Sequence, residues 1–117
     1  MSTFRDLKIW QKAMSLVTEV YRITTYFPDS EKYGLVSQIR RSAVSIPSNI
    51  AEGYGRNSNG EFQRYLNISM GSLFELQTQI EIAQNLDYFE NDSGAKMYDM
   101  SREIERMMSS FMRSLND

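Results

Sequence analysis

The sequence contains no cysteine and no histidine. The first absence excludes disulfides, thiolate metal sites and cysteine nucleophiles. The second removes the commonest general base and the commonest transition-metal ligand. With it go the Glu-x-x-His metal sites of helical bundles and Ser–His hydrolytic triads. Proline is scarce, at two residues in 117, so only Pro28 and Pro47 interrupt the backbone donors. No apolar run approaches the roughly 20 residues of a membrane span. The opening Met1-Ser2-Thr3-Phe4-Arg5-Asp6 lacks the apolar core of a signal peptide. A cytoplasmic protein without membrane contact is therefore expected.

The remaining chemistry is thin. No strand precedes Gly53-Tyr54-Gly55 and no Lys-Ser/Thr pair follows it, so it does not read as a phosphate-cradling loop. Ser42, Ser45 and Ser48 have no lysine within a helical turn, and Glu103 and Glu105 fall on different helix faces. The expectation is a non-enzymatic protein with no catalytic residue, no metal and no cofactor.

What the sequence does contain is helical periodicity, sized for one domain spanning residues 1–117. The first helix is expected from about Phe4 to Tyr26 and carries two apolar stripes. Ile9, Ala13, Leu16, Val20 and Ile23 form one, and Leu7, Trp10, Met14, Val17 and Tyr21 form the other, about 110° away around the helix. That arc is nearly twice what a bundle helix needs, which leaves one stripe for another subunit. Phe27-Pro28-Asp29 ends this helix.

A second helix is expected to start at Ser30 as N-cap and to carry Val36, Ile39, Ala43, Ile46 and Ile50 inward, with Pro47 bending it without ending it. Gly53 and Gly55 are expected to close it. A third helix, from the Ser58/Glu61 capping box to about Leu86, buries Phe62, Leu66, Ser69, Leu73, Leu76, Ile80 and Ala83. A fourth, about Ala95 to Leu115, buries a methionine-rich stripe: Met97, Met100, Ile104, Met107 and Phe111. Short connections make sequential helices antiparallel neighbours, so the fold class is all-α, an up-down-up-down four-helix bundle.

Polar positions on the second helix are also periodic. Gln38, Arg41, Ser45, Ser48 and Glu52 share one face, with Pro47 and Asn49 among them. Small serines there permit close helix contact. Alternatively, the face presents Arg40 and Arg41 to an anion. Charge is uneven along the chain: residues 1–64 hold nine Lys/Arg and six Asp/Glu, whereas residues 65–117 hold four and nine.

The same residues carry a family resemblance. Phe4-x-x-Leu7-x-Ile9-Trp10-Gln11-x-Ala13-Met14, Tyr33-Gly34-Leu35-x-x-Gln38-Ile39-x-Arg41-x-Ala43-x-Ser45-Ile46-Pro47-Ser48-Asn49-Ile50-Ala51-Glu52-Gly53 and Glu61-Phe62-x-Arg64-Tyr65-Leu66-x-Ile68-Ser69-x-Gly71-Ser72-Leu73-x-Glu75-Leu76 resemble the proteins encoded in intervening sequences of bacterial 23S ribosomal RNA genes. Some of these carry the older name of ribosomal protein. The resemblance implies a four-helix bundle that assembles as a ring, expected to be a pentamer. It also implies that Gln38, Arg41, Ser45, Pro47, Ser48, Asn49, Glu52 and Gly53 are signature positions with structural or interface roles. A related bundle, the accessory variability protein of diversity-generating retroelements, binds nucleic acid and is markedly basic, unlike this chain of net charge −2.

Together these readings give an oligomeric scaffold whose first two helices contact RNA or DNA phosphates. The expected cations are Lys8, Lys12, Arg22, Arg40, Arg41, Arg56 and Arg64. The alternative is a scaffold that binds a protein partner and no nucleic acid.

Overall fold

The computed structural model describes residues 2–116 as four α-helices in a rod of 44 × 23 × 23 Å. The helices are α1 (Lys8–Thr24), α2 (Leu35–Tyr54), α3 (Asn59–Asn85) and α4 (Asn91–Asn116). Each packs on its neighbours in sequence and α4 closes onto α1, which makes the expected antiparallel bundle. No described helix is long and apolar enough to cross a membrane.

One stripe of each helix fills the interior. Ile9, Ala13, Leu16, Val20 and Ile23 of α1 meet Val36, Ile39, Ala43, Ile46 and Ile50 of α2, and all are buried. From α3 come Phe62, Leu66, Leu73, Leu76, Ile80 and Ala83, and from α4 Met97, Ile104 and Met108. Each large side chain so buried contributes about 1.5–3 kcal/mol. The expected methionine-rich stripe is therefore core only in part: Met97 and Ile104 are buried, Met100, Met107 and Phe111 pack at the margin, and Met108 turns inward instead.

The helix starts differ from expectation. Residues Phe4–Asp6 form a separate 3-10 turn capped reciprocally by Thr3 and Asp6, and extended Leu7 separates it from α1. Ser30 does not cap α2. It lies in a second 3-10 turn, Asp29–Glu31, and α2 begins only after Gly34. Glu31 does the capping: its Oε1 accepts the Leu35 N–H at 3.1 Å, and its Oε2 accepts the Tyr88 hydroxyl at 2.7 Å. A carboxylate can reach two donors on different elements, which a serine cannot. At α3, Ser58 accepts the Glu61 N–H at 3.1 Å, but the Glu61 side chain turns to Arg64 instead of completing the box. Helix α4 starts four residues early, at Asn91.

Tyr88 and Phe89 close the end of the bundle on Phe27, with ring centroids 5.4 and 5.7 Å away. The Tyr88 hydrogen bond, followed by that from Leu35, holds the Glu31 carboxyl below its ordinary value. The stabilisation from this contact is therefore complete above the unfolded carboxyl value of about 4.3. It is lost as pH falls through the depressed folded value. Thermal melts of wild type and Glu31→Gln should differ most near neutral pH and converge on acidification. A gap that stays constant with pH would contradict this.

Pro47 lies inside α2, which continues for two turns beyond it. Gly53 does not close the helix either: it is buried within α2, and the C-cap is Gly55, in a right-handed conformation.

Candidate interaction surface

Two of the signature positions of α2, Ser45 and Gly53, together with Ser42, face α3 along a ladder of short contacts. Ser42 Oγ donates to Glu75 Oε1 at 2.6 Å, and the Ser45 and Ser72 hydroxyls are 2.8 Å apart. Asn49 Nδ2 donates back to the Ser45 carbonyl at 2.8 Å. Ser69, fully buried, donates to the Ile46 carbonyl at 2.8 Å. Small hydroxyl residues let the helices approach and satisfy one another at short range, and buried polar atoms need such partners. At the end of the ladder a Cβ on Gly53 would lie 2.6 Å from Tyr65 Cβ and 3.0 Å from Phe62 Cδ1, so only glycine fits. Ser45 and Gly53 therefore join α2 to α3, while Asn49 steadies Ser45 from within α2. Gln38, Ser48 and Glu52 are exposed, and Glu52 pairs with Arg56 at 3.4 Å.

The candidate cations do not form one cluster. Lys12 reaches across to Glu103 of α4 at 3.3 Å, and Arg22 pairs with Glu19 on its own helix. That pairing, more than the nearby Lys96, holds the Glu19 carboxyl below its ordinary value. Arg40 lies over the Tyr21 ring, 4.5 Å from its centroid, and donates to Thr24 Oγ1 at 2.9 Å. Arg56 and Arg64 flank Tyr65 at 4.8 and 4.7 Å, and Arg64 also pairs with Glu61 at 3.2 Å. Among the described residues, Lys8 and Arg41 are exposed and have neither an ion pair nor a hydrogen bond.

The outer stripe of α1 meets the free face of α2 in an open apolar groove. Trp10, Met14 and Val17 form one wall, and Val44, Pro47 and Ala51 the other, with Ser48 at the rim. Met14 and Val44 remain 42% and 40% exposed, which is unusual for apolar side chains that adjoin one another along a groove. Pro47 has a place here, since its ring supplies a rigid apolar floor, although inside α2 it cannot donate the backbone hydrogen bond to the Ala43 carbonyl. Sequence periodicity found the α1 wall through its doubled stripe. It missed Val44, which stands outside the inward stripe of α2. It also missed a second uncovered face on α3, where Ile68, Phe74, Ile82 and Leu86 are each 44–50% exposed.

Taken together, these features define an all-helical bundle whose distinctive surface is an apolar groove. The chain belongs to the 23S rRNA-intervening sequence protein family, whose model matches residues 5–110. A crystal structure from Bacteroides thetaiotaomicron, of a protein with unknown function from the S23 ribosomal protein family, is similar at a TM-score of 0.80. It shares 21% identity, covering 89% of this chain and 97% of that one, and thus supports the fold alone. Among curated proteins, none matches the sequence.

Proposed function

We propose that the protein is a non-enzymatic scaffold that assembles with copies of itself and covers the α1–α2 groove in doing so. The observation that carries this reading is the uncovered apolar groove between Trp10, Met14 and Val44, beside a core that is already complete. Leaving such a surface in water forgoes about 25 cal/mol for each Å² that could be buried. The family resemblance implies a ring, and a pentamer is the size to expect.

Trp10 is the only tryptophan and sits in the groove, so it reports on its covering. Acrylamide should quench it poorly in wild type and readily in Met14→Glu, which carries a charge into the groove at a position already open to solvent. Equal quenching of the two folded proteins would contradict the reading.

A second reading, contact with RNA or DNA phosphates, is favoured by Lys8 and Arg41, the two candidate cations left without a partner among the described residues. Repetition around a ring would multiply so weak a patch. Such binding would be sequence-independent and would fall steeply with salt. Arg41→Ala should weaken it without loss of stability. Absence of any shift of RNA or DNA at about 50 mM salt, where phosphate contacts are strong, would remove nucleic acid from the account and leave the protein scaffold.

A further inference from the structure

The α3 face has a feature that the single chain does not explain. Gly71 lies at its centre, midway along a 27-residue helix. Glycine there costs about 1 kcal/mol relative to alanine. Ser69 and Ser72, on either side, are small because α2 packs on them. Gly71 is not: a Cβ built on it would meet nothing within 4 Å. Ile68 and Phe74 stand about one turn before and after this gap, exposed on the solvent side of α3, and Ile82 continues the exposed face further along the helix. A shallow, backbone-exposing site rimmed by apolar side chains suits close approach by another surface.

The two uncovered faces also differ in charge. From Lys32 to Ala51, the segment that forms the α2 wall of the groove, the chain holds three cations and no carboxylate. On α3 from Tyr65 onward, which includes the Gly71 face, it holds two carboxylates, Glu75 and Glu81, and no Lys or Arg. Glu81 is exposed on α3, as is Glu75, one of whose oxygens accepts the Ser42 hydroxyl of its own α2, and Arg41 is exposed and unpaired beside Val44 among the described residues. Like faces brought together would oppose like charges. Unlike faces would oppose opposite ones, which favours their encounter and their register.

We infer that the occupant of the α1–α2 groove is the Gly71 face of α3 from a second copy of this chain, with Arg41 directed at Glu75 and Glu81 across the contact. The inference rests on the self-association proposed above and specifies it. The contact is head-to-tail: each chain offers its groove to one neighbour and its α3 face to another. Unlike, non-self-complementary patches on different sides of a subunit generate rings or open filaments, not two-fold dimers.

Complementation tests this directly. Val44→Glu blocks the groove with a charge that opposes Glu75 and Glu81. The double variant Gly71→Gln, Phe74→Ser fills the gap and removes its aromatic rim. All three positions are solvent-exposed, and circular dichroism with a cooperative melt establishes folding. Met14→Glu serves as a second groove variant. Each variant alone should have the mass of one chain by light scattering. An equimolar mixture of the two should have the mass of two chains and no more, because it contains one intact groove and one intact α3 face. If wild type associates but the mixture remains single chains, or if the α3 variant alone assembles like wild type, the head-to-tail contact is wrong and self-association stands. If wild type itself is a single chain, self-association fails too.

Discussion

Leu73→Ala is expected to lower the free energy of unfolding by about 2–5 kcal/mol. Leu73 is fully buried at the middle of α3, among inward residues of all four helices. Truncation removes the transfer free energy of the lost methyl and methylene groups. It also leaves a cavity that helices pinned by the Ser45–Ser72 and Ser69–Ile46 contacts on either side cannot collapse to fill. Set against a total stability of about 5–15 kcal/mol for a domain of this size, the loss is large. A denaturant titration at one fixed protein concentration measures it, since assembly makes stability depend on concentration. A change below about 1 kcal/mol would mean that the interior around α3 is loosely packed.

Gly53→Ala is expected to destabilise by about 1–3 kcal/mol through overpacking. The sign is the informative part, because helix propensity alone would make alanine better by about 1 kcal/mol at a position inside α2. The added methyl would press on Tyr65 Cβ, which is the root of a side chain and cannot rotate away. The paired control is Gly71→Ala, where the space is open and propensity should raise the stability of the single chain. Stabilisation by both substitutions would show that α2 and α3 do not approach closely at Gly53.

These two glycines illustrate what the sequence makes legible. Inward stripes on the first three helices are read correctly because burial imposes a period near 3.6 on residue type, and the stripe through Leu66, Leu73 and Leu76 is unambiguous. On α4 only Met97 and Ile104 of the expected stripe are buried, and Met108 takes the inward place expected of Met107. Helix ends are read less well. Ser30 has the right chemistry for a cap, yet Glu31 caps α2 from a preceding turn because Tyr88, distant in sequence, fixes its other oxygen. Gly53 looks like a terminator, but its smallness answers Tyr65 and Phe62, a tertiary demand that no local pattern carries.

The candidate interaction surface was half legible. The doubled stripe of α1 marked Trp10, Met14 and Val17 as residues in excess of what a bundle core uses. Val44 and the Gly71 face carried no comparable period, because an interface on one side of an already amphipathic helix adds only a few apolar residues to its polar arc. The cations were legible as a list but not as an arrangement. Lys12, Arg22, Arg40, Arg56 and Arg64 are engaged by Glu103, Glu19, Tyr21 with Thr24, Glu52 with Tyr65, and Glu61 respectively. Most of these partners lie within four residues on the same helix or across a helix contact, so the charges serve the bundle before they serve a ligand. Exposed pairs of this kind each contribute little to stability.

The central claim is that the α1–α2 groove is covered by another copy of the chain, and the molar mass of the wild-type protein in solution tests it most directly. Light scattering behind size-exclusion chromatography at micromolar concentration should give a mass several times that of one chain. It should fall to that of one chain for Val44→Glu with helix content unchanged. A wild-type mass of one chain, constant with concentration, would contradict the account.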